Sequence, residues 1–289
     1  MNVRQISLSR RSITIAAALA GLVPLALGAH ASLYKRPPDA TQVIAGQASE
    51  SVKQASRIAL VIGNGHYPDA NAPLTQPIND ARALTRALRR DGFDVDVVED
   101  ASKDDINRAV ERLKAKIRPE SVVMLFFGGY GVQAGRESYM IPVDAAIWKE
   151  ADVRRDGISI EAVLDVMKDR GATTKLAVID ASRRNPYERR FRAFSHGLAP
   201  INAPENALIL SSATPGKVAD DSDGQYSVLM AELLDNLNTP AGVETVFSKT
   251  RLAVSRASEG EQVPSVSSSL VNDVRLGAGV VAADDKAGS

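Results

Sequence analysis

Short apolar runs recur along the chain and are separated by polar and glycine-rich segments. The first run occupies residues 58–62 and ends at the Gly-Asn-Gly of residues 63–65. A continuous apolar run of this length is typical of a β-strand that is covered on both faces. The same signature predicts further strands at residues 93–98, 121–127, 175–179 and 207–210, with a possible last strand at 264–270.

Amphipathic segments with helical spacing lie between and after these runs. Apolar side chains three or four positions apart predict helices around residues 81–88, 106–117, 160–167, 228–237 and 243–254. Strands that alternate with helices in this way predict an α/β fold with a mostly parallel sheet and helices on both faces. In such sheets the working site lies beyond the carboxyl ends of the strands, here within residues 63–77, 128–133, 180–186 and 211–216.

The first 31 residues have a different pattern, which is typical of an export signal. Three arginines and no acidic residue accompany an apolar run at 13–27, and residues 29–31 supply the small side chains of a cleavage site. The pair Arg10 and Arg11 also resembles a twin-arginine signal, although an ordinary basic leader explains the same residues. An uncleaved membrane anchor stays open, because residues 13–29 are close to the shortest span of a bilayer. We expect a periplasmic or secreted protein.

Four segments of different composition therefore divide the chain. Residues 1–31 form the predicted signal, and residues 32–56, rich in proline, glycine and serine, form a predicted linker. Residues 57–276 carry all the predicted strands and helices of one α/β domain. The tail at 277–289 consists of small and polar residues, and we expect it to be disordered.

Composition excludes several classes of function. The 289 residues include 35 basic and 35 acidic ones, so the chain has no net positive charge that would attract nucleic acid. For the same reason we expect no membrane contact beyond a possible signal anchor. The absence of cysteine excludes disulfides, thiolate metal sites and a cysteine nucleophile. With only three histidines a multi-histidine metal site is also not expected, and no motif indicates a cofactor.

Five motifs occur in the order found in one family of peptidases. They read LVIGN at 60–64, PINDA at 77–81, FFGGYGVQ at 126–133, YMIPVD at 139–144 and VIDASRRNP at 178–186. In this order they resemble the bacterial metacaspase-like branch (orthocaspases) of the caspase family, peptidase C14, and the likeness extends over residues 57–276. The resemblance implies a caspase-like sandwich, with a mostly parallel central sheet and helices on both faces.

The two residues that carry the chemistry in that family are replaced in this chain. The family places a histidine between the glycines that correspond to Gly129 and Gly131, where this chain has Tyr130. It places its cysteine nucleophile where this chain has Ser182. A serine depends on a base within hydrogen-bond reach, and a tyrosine with a pKa of about 10 is a poor base at neutral pH. The resemblance therefore implies a pseudo-protease without an intact catalytic pair.

Two acidic residues correspond to the substrate pocket of the basic-specific metacaspases. Asp80 and Asp180 stand at the positions of the two aspartates that hold an arginine or lysine side chain there. Two carboxylates that face one pocket favour a guanidinium between them. Structural explanations stay open, because Asp80 could favour the positive end of a helix at 80–91 and Asp180 could pair with Arg183 or Arg184. Arg184 could also fill the pocket itself.

Two classes of function follow from these observations. The first is an exported, non-catalytic protein that binds basic (Arg/Lys) segments or regulates a partner, such as an active caspase-like relative. The second is a weak hydrolase with an Arg/Lys preference that uses Ser182, with His66 as an improvised base; His196 is a weaker candidate. Structural roles are open too, since Tyr130 could fill the space of the missing imidazole and Ser182 could cap a helix. A scaffold with an idle cleft is a third possibility.

Overall fold

The computed structural model describes residues 55–68, 73–184, 186–187, 197–219, 224–272 and 274–276. All of them belong to the second of the chain's two units, Val52–Ser289. The predicted signal, nearly all of the predicted linker and the predicted tail lie outside the described residues, so the predicted division of the chain stays a prediction. Every helix in the described ranges is too short or too polar to cross a membrane.

A six-stranded sheet forms the centre of the domain. Its strands are β1 (Arg57–Gly63), β2 (Asp94–Glu99), β3 (Val122–Gly128), β7 (Thr174–Asp180), β8 (Ala207–Ser211) and β9 (Ser265–Ser268). They lie in the order β2-β1-β3-β7-β8-β9, and all neighbours are parallel except β8 and β9. Every residue of β3 and β7 is buried, as the continuous apolar runs predict for strands covered on both faces.

Helices cover both faces of this sheet. They are α1 (Gln76–Arg90), α2 (Lys103–Lys116), α4 (Ile160–Asp169), α5 (Val228–Leu237) and α6 (Val243–Ala257), while α3 (Glu150–Asp156) packs on strand β4 (Gly131–Ala134) outside this sheet. Leu84, Leu229 and Phe247 bring α1, α5 and α6 into the core on one face. Ile106 and Leu164 bring α2 and α4 into the core on the other face. The alternation of strands and helices in the sequence is therefore confirmed.

A second, smaller sheet was not predicted. It consists of β4 (Gly131–Ala134), β5 (Glu137–Met140) and β6 (Ile158–Ser159), paired antiparallel in that order. Its strands are two to four residues long, which is too short for a recognisable alternation of apolar and polar side chains. Together with the loop after β1 it encloses a third apolar cluster, which includes Tyr67, Val132, Ile141 and Tyr187.

The register of the central strands brings their carboxyl ends into one line. Gly63 at the end of β1 pairs with Gly128 at the end of β3, and Gly128 pairs with Asp180 at the end of β7. The loops that carry Tyr130 and Ser182 begin at this line, where Asp180 ends β7. The site is therefore built where the topology of a parallel sheet predicts it.

Candidate functional site

The first acidic residue of the predicted pocket, Asp80, lies inside a helix. Helix α1 begins at Gln76, with Pro77 in its first turn, so Asp80 is the fifth helical residue. The prediction of a helix that starts at residue 80 was wrong, because proline is well tolerated in a first turn. The effect of the helix dipole falls off within that turn, so the dipole does not explain an aspartate at this position.

Asp80 is fully buried at the junction of α1 and α5. Its two carboxyl oxygens accept the backbone N–H of Ser227 at 3.1 and 3.4 Å. Ser227 is also the N-cap of α5, where its hydroxyl oxygen accepts the N–H of Met230. Burial, followed by the nearby charge of Asp180, raises the pKa of Asp80 to about 8. Asp80 therefore connects two helices, and its burial favours its protonated form.

The second acidic residue, Asp180, is buried beside an internal cation. Its Oδ1 lies 3.7 Å from Nη1 of Arg183, and both side chains are almost fully enclosed. Arg183 also donates to the carbonyl oxygen of Gly129 at 3.0 Å and to that of Asp180. The other carboxyl oxygen, Oδ2, is buried and has no hydrogen-bond partner among the described residues. Asp180 thus keeps one acceptor free beside its ion pair.

Arg183 and Arg184 have opposite surroundings. Arg184, which we expected as a possible occupant of the pocket, has an exposed side chain. Arg183 is buried instead, and its positive charge acts on Asp80 as well as on Asp180. The alternative in which Asp180 pairs with Arg183 is therefore the arrangement in the structure. Asp180 already has beside it one guanidinium that belongs to the chain itself.

Tyr130 occupies the turn between β3 and β4 and packs against another tyrosine. Its ring meets that of Tyr67 edge-on, with centroids 4.8 Å apart, and its backbone N–H donates to the Tyr67 hydroxyl at 3.1 Å. That hydroxyl donates in turn to the carbonyl of Ile141, and burial raises the pKa of Tyr67. A Cβ on Gly129 would lie 2.6 Å from the same hydroxyl, so this turn requires glycine there.

Ser182 is enclosed by the loop that follows β8. It is only 1% exposed, its N–H donates to Oγ of Ser212 at 3.3 Å, and its carbonyl accepts the N–H of Ala219 at 2.7 Å. Residues 181–184 have no regular secondary structure, so Ser182 does not begin a helix there, and the alternative of a capping serine does not describe this turn. The hydroxyl at the nucleophile position is therefore shielded from solvent.

His66, the candidate base, lies on the surface and is held by another residue. Its Nδ1 is 2.5 Å from Oδ2 of Asp100, and its side chain is 70% exposed. The other oxygen of Asp100 accepts the N–H groups of Gly65 and His66 at 2.9 Å each. The structure thus pairs an exposed imidazole with Asp100, whereas Ser182 is buried. His196 lies outside the described residues.

Metal ligands do not gather at this site within the described parts of the chain. There, no group of three histidine or acidic side chains is placed to hold a metal ion. The groups that the topology brings together are two carboxyls, one guanidinium and a set of backbone N–H donors. Their chemistry is that of cation recognition and hydrogen bonding.

Comparisons with known proteins agree with this architecture. Residues 56–275 match the sequence model of the peptidase C14 caspase domain. The human mucosa-associated lymphoid tissue lymphoma translocation protein 1 is 24% identical over 143 residues, which cover 49% of this chain and 17% of that protein. Its mouse homologue is 26% identical over 133 residues, which cover 46% of this chain and 16% of that protein. The chain therefore matches about a sixth of the length of these curated relatives.

A solved structure supports the same fold. The crystal structure of caspase-1 from Spodoptera frugiperda superposes with a TM-score of 0.57 at 16% identity, and the match covers 78% of this chain and 92% of that one. At this identity the likeness shows the fold alone. The predicted fold class, an α/β caspase-like sandwich, is confirmed.

Proposed function

Because the chain belongs to the peptidase C14 caspase-domain family, we propose that it is an exported, non-catalytic member that binds a basic segment of a partner protein. The observation that carries this proposal is the state of the two catalytic positions. Tyr130 and Ser182 stand where the family has histidine and cysteine, and Ser182 is buried with its amide already bonded. The partner could be an active caspase-like relative.

The geometry around Ser182 favours the absence of catalysis. Peptide hydrolysis requires a nucleophile next to a base, with N–H donors aimed at the developing oxyanion. The N–H of Ser182 is used by Ser212, and the N–H of nearby Gly131 is used by the carbonyl of Ala181 at 3.0 Å. His66 is engaged by Asp100 at the surface. The nucleophile and the base are therefore replaced, and the N–H donors and His66 already have hydrogen-bond partners within the domain.

The acidic pair supports recognition of a basic side chain. Oδ2 of Asp180 has no hydrogen-bond partner among the described residues, so it can accept an N–H of an incoming guanidinium or ammonium group. Both carboxyl groups are buried, however, and a ligand must open this end of the domain before it can reach them. The free energy of that opening subtracts from binding, so we expect weak affinity for a free peptide.

Peptidase assays of the full chain test the absence of catalysis. We expect no turnover of peptides with arginine or lysine at the cleavage position, because nucleophile and base act as a unit and both are replaced. Cleavage that is abolished by Ser182→Ala and by His66→Ala would instead establish a hydrolase. Cleavage unaffected by either variant would indicate a contaminating protease.

Calorimetric titration tests the binding of basic segments. We expect a peptide with one arginine to bind more tightly than its norleucine analogue, and Asp180→Asn to remove that preference because it removes the free carboxylate oxygen. Asp235→Asn, an exposed aspartate on α5, is the matched control and should keep the preference. Equal binding of both peptides would show that the carboxyl pair serves the fold and would favour a scaffold.

Cell fractionation with N-terminal sequencing tests export. The charge pattern, apolar run and small residues of 1–31 lead us to expect a mature protein outside the cytoplasm that begins near Ser32. Recovery of an intact form that starts at Met1 in the cytosol would contradict it. An intact form in the membrane fraction would instead support the uncleaved anchor.

A further inference from the structure

Three charged side chains are buried together at the carboxyl ends of the central strands. They are Asp80, Asp180 and Arg183, with 0%, 3% and 6% of their surfaces exposed. If all three were ionised, the cluster would carry one negative charge in excess. Burying an unpaired charge is costly, and a buried carboxyl group usually takes up a proton instead.

The surroundings of Asp80 offer little that would stabilise a second negative charge. The four arginines of α1 itself, Arg82, Arg86, Arg89 and Arg90, are all exposed, whereas Asp80 is buried. Helix α1 packs against β1, β2, β3 and α5. Strand β3 has no ionisable side chain, and the only one in β1, Arg57, lies at the opposite end of the strand. Strand β2 and helix α5 carry only acidic groups: Asp94, Asp96, Glu99, Glu232 and Asp235. The charges that act most strongly on Asp80 are those of Asp180 and Arg183.

The hydrogen bonds of the pair point to the same assignment. Asp80 is hydrogen-bonded to the backbone N–H of Ser227, which both of its oxygens share, and to the Ser227 side chain, both neutral groups, while Asp180 has the guanidinium of Arg183 beside it. The one cation that the described residues place in this cluster, Arg183, therefore lies against Asp180. Asp80 is the member of the pair that gains more from being neutral.

We propose that Asp80 carries a proton at neutral pH and that a cationic side chain taken up by the pocket replaces this proton. The second half of the proposal rests on the proposed function. Before binding, the proton on Asp80 and the charge of Arg183 balance the two carboxyl groups. After binding, the proton has passed to solvent, the Asp80 carboxylate is ionised, and the incoming cation supplies the charge that the proton supplied before.

This exchange selects ligands by charge and makes binding depend on pH. An arginine or lysine side chain can replace the proton, whereas a neutral side chain of the same length cannot. Below the pKa of Asp80, about 8, each unit of pH should change the affinity for the cation about tenfold, with tighter binding at higher pH. Above that pH the affinity should become constant, because no proton remains to be replaced.

Measurements on the ligand-free full chain test the proton on Asp80. The native state holds this proton up to about pH 8, whereas the unfolded state loses it near 4, so acidification stabilises the fold. As the pH rises from about 5 to about 8, the proton held by Asp80 in the native state alone should make the unfolding equilibrium constant increase about tenfold per pH unit. Asp80→Asn, which mimics the protonated acid, should remove this component, and Asp235→Asn should retain it. Equal pH dependence in wild type and Asp80→Asn would overturn the proposal.

An infrared spectrum of the wild type gives a second readout that needs no variant to fold. A protonated carboxylic acid has a carbonyl band distinct from that of carboxylates, and we expect this band at neutral pH, with its disappearance as the pH rises through about 8. The absence of any such band at neutral pH would overturn the assignment to Asp80.

Calorimetry in two buffers with different ionisation enthalpies tests the exchange. Binding of the arginine peptide at about pH 7 should release about one proton, and binding well above pH 8 should release almost none. Binding without proton release at neutral pH would overturn the exchange. Failure of the peptide to bind at any pH would overturn both the exchange and the proposed function, while loss of the infrared band in Asp80→Asn would still establish the proton on Asp80, since burial also raises the pKa of Glu161 and Asp91.

Discussion

Arg183 and Arg184 are sequence neighbours whose substitution should have very different effects. Arg183→Met leaves Asp180 buried without its ion-pair partner, and breaking a buried pair in this way costs about 3–5 kcal/mol of stability. Arg184→Met alters an exposed side chain and should stay within about 0.5 kcal/mol of wild type. Denaturant unfolding measures both. Adding Asp180→Asn to Arg183→Met should recover part of the loss, and a loss equal in both single variants would contradict this account of the pair.

Single residues also show where prediction from the sequence ends. The position of Asp180 at the end of a strand follows from the apolar run before it. The partners of the site residues do not, because Ser227 lies 147 positions from Asp80 and Ser212 lies 30 positions from Ser182. Such contacts depend on the order of the strands, which local patterns do not encode. The same holds for Asp100, which engages His66 across 34 positions.

At the level of elements, the length of a segment decided how well it could be predicted. The predicted strands at 121–127 and 175–179 agree within one residue with β3 and β7, whose apolar runs are long and continuous. The smaller sheet and α3 escaped notice because two to seven residues give no clear period. Helix α1 begins five residues before the predicted apolar stripe, since its first turn contains Pro77 and polar residues.

The start of α2 offers a test of a local signal within the fold. Ser102 and Asp105 form a capping box, in which each side chain accepts the backbone N–H of the other residue. Ser102→Ala should therefore cost about 1 kcal/mol in denaturant unfolding. Ser248→Ala, at an exposed position within α6, is the matched control and should change stability by no more than about 0.5 kcal/mol. Equal free energies of unfolding in Ser102→Ala and Ser248→Ala would show that packing, and not the capping box, determines where α2 begins.

Across the whole molecule, the sheet separates two large cores, and this explains why the fold class was readable. Residues that alternate along β3, such as Met124 and Leu125, belong to opposite cores. A strand that serves two cores must be apolar at every position, and that requirement produced the continuous runs in the sequence. The order of the strands in the sheet cannot be read from the sequence in this way, because each apolar run would be the same whichever strands lay beside it.

The two ends of the folded domain are joined by one arginine, which gives a prediction for the molecule as a whole. Arg57, the first residue of β1, donates to the carbonyl oxygens of Asp91 and Leu276 at 2.8 and 2.7 Å and to that of Arg275 at 3.0 Å. Its guanidinium also lies 5.8 Å from the centre of the Phe93 ring.

Loss of this contact should loosen the end of the domain before it unfolds the rest. Because part of the side chain is exposed, we expect Arg57→Met to cost about 2 kcal/mol, less than the sum of its charge-assisted bonds. The carbonyl oxygen of Val274, in the same end segment, accepts the N–H of Val243 at 2.7 Å. If this segment loosens in the variant, the Val243 amide should exchange with deuterium faster than in wild type, ahead of global unfolding. Arg86→Met, at an exposed position on α1, should leave that exchange unchanged. Equal protection of the Val243 amide in Arg57→Met and wild type would mean that apolar packing of Leu276, which is almost fully buried, holds the end of the domain without Arg57.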